Sequence, residues 1–249
     1  MIITRMFPAE KIDFSGYPPK HVVIAGATGM VGREIIRVLD ERPNVTFTAL
    51  TRRSGALSGL SGRVREVEFD YNDPKAINRI GQDIPCNVLL CALGTTIKKA
   101  GSPEAFRLVD FEYPSRLFEH LKQLPNKPMV GVVSSVGAGK PTGLYLKTKY
   151  DMEQSLIESG LPHLIVRPSL ILGERHERQP VEWVLAAVFL KFYLAVIKVL
   201  APQFRPLWRF APIEGAKVAE AMVRICVDEP PLENSRILEG LALHHPIMQ

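Results

Sequence analysis

Tyr145 and Lys149 stand four residues apart, and a serine pair, Ser134-Ser135, closes the apolar run Met129-Val-Gly-Val-Val just upstream. Residues four apart on a helix share a face, so the phenol and the ammonium would lie side by side. A neighbouring cation favours the phenolate form of a tyrosine, and the same ammonium can grip a ribose hydroxyl. A phenol held this way donates a proton to a carbonyl oxygen as hydride reaches the carbon, and a serine hydroxyl steadies that oxygen. Of the two serines, Ser135 is assigned that role. In isolation Tyr-x-x-x-Lys is a weak signal, because a helix surface pair produces it by accident. It gains meaning only in a chain that also holds a hydride carrier.

The carrier is read from His21-Val-Val-Ile-Ala-Gly26-Ala-Thr-Gly29-Met-Val-Gly32-Arg-Glu-Ile-Ile. An apolar run ends in three glycines spaced three apart, and an amphipathic helix pattern begins at once. Such a strand, turn and helix bring free amides and the positive end of a helix dipole against a pyrophosphate. Glycine turns follow strands in many α/β proteins, but the placement after an early strand and before a helix favours a dinucleotide. The second apolar run, Val45–Thr51, ends in Arg52-Arg53, with Arg52 26 positions after Gly26. An acidic residue there would hold the ribose 2′-hydroxyl of NAD, whereas arginine pairs with the 2′-phosphate of NADP. NADPH is therefore the expected cofactor; the alternative is a solvated arginine pair at a strand end. Asp70, after the third run, either accepts from the adenine amino group or serves as a turn residue before Asp73-Pro74. After the fourth run, the small-residue loop Leu93-Gly94-Thr95-Thr96 would let the backbone lie against the cofactor.

These residues need a scaffold. Strands are expected near 21–25, 45–50, 64–69, 87–93, 129–134 and 163–167, and helices near 30–40, 74–81, 103–122 and 147–159. Strand–helix alternation of this kind predicts an α/β, Rossmann-like, doubly wound parallel sheet with helices on both faces and a small C-terminal substrate or lid lobe. Residues 1–20 read as an irregular lead-in. Residues 21–249 read as a single dinucleotide-binding domain, with 174–215 as a substrate-side insertion. At 249 residues and 46% hydrophobic, the chain is long enough for one such core.

Gly26-x-x-Gly29-x-x-Gly32, Ser134-Ser135 and Tyr145-x-x-x-Lys149 resemble the short-chain dehydrogenase/reductases in their extended or atypical branch. More narrowly, Ala92-Leu-Gly-Thr-Thr-Ile-Lys-Lys-Ala-Gly101, Val109-Asp110, Ser134-Ser135, Tyr145-Leu and Arg167-Pro168 are similar to the Tat-interactive-protein group of atypical reductases. The resemblance runs from about residue 20 to about residue 244. It implies NADPH held by Thr28, Gly29, Met30, Val31, Arg52, Arg53, Leu93 and Gly94, with Ile171 beside the nicotinamide end. It also places Tyr145 and Lys149 at the catalytic positions. The chain departs from the group at Gln179, where a basic cofactor-contacting residue is otherwise found.

The implied activity is reduction of a carbonyl or oxidation of an alcohol. The rival expectation is a non-catalytic NADPH-binding sensor or assembly protein. Residues 183–200, from Trp183 to Leu200, are more apolar than a surface helix should be, with Lys191 and Lys198 seven apart. A lid over the substrate pocket, a helix in a membrane interface and a subunit interface all fit that pattern. A cover so apolar predicts a lipophilic substrate. The net charge of +5 suits an anionic cofactor or an acidic membrane surface. No Lys/Arg cluster is interleaved with aromatics, so a nucleic-acid partner is not expected. Cys86, Cys91 and Cys226 show no metal spacing, nor do His163 and His244-His245, and no metal is expected. The N-terminus carries no apolar stretch long enough for a secretion signal, which leaves the cytoplasm as the default, with peripheral membrane contact as an option.

Overall fold

Alternation of apolar side chains organises the centre of the molecule. In β1 (Lys20–Ala25) Val22 and Ile24 enter one apolar layer while Val23 and Ala25 enter the other. Successive strand residues point to opposite faces, so a strand apolar at every position needs cover on both sides. A computed structural model of the chain describes residues 20–173, 210–229, 235–240 and 243.

The remaining strands are β2 (Val45–Thr51), β3 (Arg65–Glu68), β4 (Val88–Cys91), β5 (Met129–Val133), β6 (His163–Arg167), β7 (Ile171–Leu172), β8 (Ile213–Glu214) and β9 (Arg236–Glu239). Seven of them form one sheet in the order β3-β2-β1-β4-β5-β6-β9, every neighbouring pair parallel. β7 and β8 pair separately, also in parallel. The strand order reverses between β1 and β4, and the carboxyl ends of strands at such a switch point open a crevice where ligands bind.

Helices cover both faces. α1 (Met30–Asp40) and α7 (Gly215–Val223) pack on one side through Val31, Ile35, Ile36 and Leu39 against Val218, Met222 and Val223. α2 (Pro74–Asn78), α5 (Tyr113–Leu121) and α6 (Gly143–Glu158) pack on the other through Ile77, Leu117, Phe118, Leu121, Met152 and Leu156. The short helices α3 (Ile97–Ala100) and α4 (Pro103–Arg107) follow β4 at the carboxyl edge of the sheet. Thr96 and Ser102 cap them by accepting from the amides of Lys99 and Ala105.

The doubly wound parallel sheet is as expected. β7, β8 and α3 are additional to the expected elements, α2 ends at Asn78 short of the expected 81, and three further elements differ in detail. The helix expected over 103–122 is interrupted by a π-helical turn, Leu108–Glu112, between α4 and α5. The helix expected from 147 begins at Gly143 and carries Tyr145 in its first turn. β9 adds a seventh strand beyond β6. The lead-in up to residue 19, the apolar segment 183–200, Gln179 and most of the 174–215 insertion lie outside the described residues; the end of that insertion supplies β8. Among the described residues, no helix is long and apolar enough to cross a membrane.

Candidate cofactor and catalytic site

The glycine turn forms at the carboxyl end of β1. Gly26 takes φ +82°, in the left-handed region, and a Cβ there would lie 2.5 Å from the Ala92 carbonyl carbon and oxygen. Gly32 answers a different demand: its Cβ would stand 2.2 Å from the Gly26 carbonyl oxygen, so only glycine lets α1 close onto the turn. Gly29 is the exposed N-cap of α1 in ordinary extended geometry. No side chain caps this helix, and its first turn contains no carboxylate. The amides of Met30, Val31 and Gly32 therefore face the crevice without a built-in anion. That is the state a pyrophosphate-binding turn requires.

At the end of β2, Arg52 and Arg53 are exposed, and among the described residues neither pairs with a carboxylate. The carboxylates of β3 are engaged elsewhere: Glu66 accepts from the Ala56 amide at 2.9 Å, and Glu68 accepts from Ser54 Oγ at 3.1 Å. Two guanidinium groups at the end of β2 are thus left without a carboxylate partner among the described residues. Asp70 is a turn residue: its Oδ1 accepts from the Asn72 amide at 2.8 Å, and Asp73 caps α2.

The chemistry-bearing residues gather where β4, the π-helical turn and α6 meet. Lys149 Nζ lies 2.7 Å from Asp110 Oδ1, with side-chain exposures of 6% and 1%. Asp110 Oδ2 accepts from the Thr95 amide at 2.7 Å. A Cβ placed on Gly94 would stand 3.5 Å from Asp110 Oδ1 and 3.6 Å from Lys149 Nζ, so the loop after β4 runs directly over the pair. Burial is the largest single influence on Lys149 and works against its charge. The Asp110 carboxylate, through its charge and its hydrogen bond, and a Tyr145 phenolate together raise the ammonium above the ordinary lysine value. Nearby, burial raises the Cys91 thiol to about 11, so it sits there as a neutral apolar group.

Tyr145 lies one turn before Lys149, 40% exposed, with its ring 5.8 Å from that of Phe106. The two serines are separated by their partners. Ser134 is buried, and its hydroxyl donates to Glu153, a fully buried carboxylate on α6. Glu153 also takes Arg167 through Nε at 2.9 Å and a terminal guanidinium nitrogen at 2.5 Å. Among the described residues, the Ser135 hydroxyl makes one long 3.4 Å contact, to the Val136 carbonyl. Ile171 is half-buried in β7 and packs against one apolar layer, while Leu93 packs against the other.

Asp110 and Glu153 have site positions that side-chain spacing alone did not single out. Asp110 stood in the resemblance only as half of a dipeptide. Glu153 had a usable signal: it falls four residues after Lys149, on the stripe Thr148, Lys149, Met152, Glu153, Leu156 that α6 buries. Thr95, expected to offer its backbone to the cofactor, gives its amide to Asp110 instead.

The model of the family described as NAD(P)H-binding matches residues 26–183. "Protein FMP52, mitochondrial" from Candida albicans is 36% identical over 157 residues, 62% of this chain and 68% of that protein. "Protein HTATIP2" from Rattus norvegicus is 32% identical over 178 residues, 68% of this chain and 70% of that protein. Among solved structures, UDP-glucuronic acid 4-epimerase from Bacillus cereus in complex with NAD superposes with a TM-score of 0.62 at 12% identity, over 88% of this chain and 77% of that one. The Bordetella bronchiseptica enzyme WbmF in complex with NAD+ gives 0.62 at 15% identity, over 89% and 73%. At such identities the two structures bear on the fold alone.

The fungal relatives correct the cytoplasmic default, since they are named as mitochondrial proteins. The default rested on the lack of a long apolar N-terminal stretch. That criterion addresses secretion signals and has no bearing on mitochondrial transit peptides, which are amphipathic and arginine-rich.

Proposed function

The chain belongs to the NAD(P)H-binding family, and from the geometry of its site we propose that it is an NADP-dependent oxidoreductase interconverting a carbonyl and an alcohol. The observation that carries this reading is the buried Lys149–Asp110 pair beneath Gly94, with Tyr145 one helical turn away. A charged lysine kept in place by a carboxylate, beside an exposed phenol, is a proton-donating arrangement at the edge of a dinucleotide crevice.

NADPH, when bound, supplies hydride to the carbonyl carbon. The Gly26–Gly32 turn holds the pyrophosphate on the open amides of α1, and Arg52 and Arg53 take the 2′-phosphate. Tyr145 gives its phenolic proton to the carbonyl oxygen as the carbon–oxygen double bond becomes single, and recovers a proton from solvent through its exposed edge. Lys149 steadies the phenolate and donates to the ribose. Ser135 donates to the same carbonyl oxygen. The apolar composition of 183–200 supports a lipophilic substrate, and the names of the fungal relatives support a mitochondrial setting.

The test is a fluorescence titration of the purified protein with NADPH and NADH, followed by turnover against a panel of lipophilic ketones, aldehydes and alcohols. The expected result is tighter binding of NADPH by about tenfold, 1.4 kcal/mol, together with Tyr145-dependent turnover. Equal affinities would remove the NADP assignment. Tight NADPH binding with no turnover across the panel would favour the sensor reading.

A further inference from the structure

Arg33, in the second half of the first turn of α1, joins the glycine turn to the loop that follows β2. Its Nε lies 3.3 Å from the Thr28 carbonyl oxygen, within the glycine turn. A terminal nitrogen lies 3.3 Å from the Ala56 carbonyl oxygen, in the loop that follows Arg52-Arg53. That loop is fixed from its other side by Glu66 on the Ala56 amide and by Glu68 on Ser54.

The guanidinium is half-buried, and among the described residues it pairs with no carboxylate. Two carbonyl oxygens use two of its five N–H donors and offer only partial charge, so the cation keeps most of its field. A guanidinium held in place by two carbonyls and not neutralised by a carboxylate keeps donors and charge available to an anion. A dinucleotide on a glycine turn directs its adenosine ribose toward the end of the second strand. The stretch from Thr28 to Ala56, which Arg33 spans, is that interval.

We propose that Arg33 is a specificity-determining residue for the 2′-phosphate of NADP. It ties the Arg52–Ala56 loop to the glycine turn and adds a third guanidinium to the anion site formed by Arg52 and Arg53. The proposal rests on the NADPH reading above and extends it to a residue that spacing from Gly26 did not reveal. A third arginine matters because a phosphate dianion offers three acceptor oxygens, and forked guanidinium donors match them.

The test measures binding alone. The purified full chain and its Arg33→Met and Arg33→Gln variants are titrated with NADPH, NADH, 2′,5′-ADP and 5′-ADP, and each variant's thermal unfolding is recorded without ligand. Glutamine retains an N–H donor for a carbonyl but removes the charge. Loss of one charge-assisted contact predicts affinity for NADPH and 2′,5′-ADP falling by about tenfold or more, with NADH and 5′-ADP nearly unchanged. Parallel loss for all four ligands would overturn the proposal and make Arg33 a support of the turn. So would unaltered discrimination in Arg33→Gln with its fold intact. Wild-type protein with no preference for NADPH over NADH would instead defeat the NADPH reading, and the proposal with it. The two failures are told apart by the wild-type ratio.

Discussion

Asp110 and Lys149 come from different helical segments yet form a 2.7 Å ion pair almost wholly withdrawn from solvent. Neither charge is tolerable alone at that depth. Removing one partner of a buried pair typically costs about 3–5 kcal/mol, because the survivor stays desolvated and uncompensated. Asp110→Ala is therefore expected to lower unfolding free energy by about that amount in urea titrations. The double variant Asp110→Ala/Lys149→Met should recover part of the loss.

The same pair sets a pH dependence. The Lys149 ammonium has its pKa raised in the fold from an ordinary 10.5. Its stabilising contribution is therefore complete below 10.5 and declines only as pH rises through the higher folded value. Unfolding free energy measured from pH 8 upward should show wild type and Lys149→Met converging only at the alkaline end. Convergence already at pH 8 would contradict the assignment.

Tyr145→Phe removes the proton donor while keeping the ring against Phe106. Turnover should fall by about 10²–10⁴-fold, with NADPH affinity within about twofold. Pre-steady-state mixing checks both quantities on one preparation.

The adjacent serines should separate by phenotype. Ser135→Ala is expected to lower kcat while leaving the melting temperature unchanged. Ser134→Ala strips Glu153 of a buried donor and should lower stability by about 1–3 kcal/mol, with a smaller effect on kcat.

Two glycines give a contrast in backbone tolerance. Gly32→Ala forces a Cβ to 2.2 Å from the Gly26 carbonyl, whereas Gly62 has nothing within 4 Å of its virtual Cβ. The first should cost about 1–3 kcal/mol or more and weaken NADPH binding. The second should stay within about 0.5 kcal/mol of wild type. Parallel thermal melts decide the matter.

Much of this architecture can be read from the chain. β1, β4, β5 and β6 are apolar at most positions, which marks a sheet covered on both faces. β9 escapes that reading because Arg236 and Ile237 are exposed and only Leu238 is buried. The start of α6 escapes it because Gly143 and Leu144 are exposed and give no periodic signal ahead of Tyr145. Within the site, the glycines and the tyrosine–lysine spacing are local and therefore visible. Asp110 and Arg33 act through partners 39 and 23 residues away, and no local pattern encodes such distances. Glu153 is placed by its helix stripe, but its partners Ser134 and Arg167 lie 19 and 14 residues away.

The π-helical turn at Leu108–Glu112 gives the active region a dependence on chain length as well as on residue identity. Each residue of an α-helix advances the side chain by about 100°, and a wider turn holds one residue more than a regular helix would. Deleting a single residue between Arg107 and Tyr113 would let the helix run on smoothly. The flanking turns would keep their phase, but the residues within the turn would be redistributed, taking Asp110 out of its place opposite Lys149. A one-residue shortening at this point, though conservative in composition, should thus be as damaging as replacing the aspartate itself.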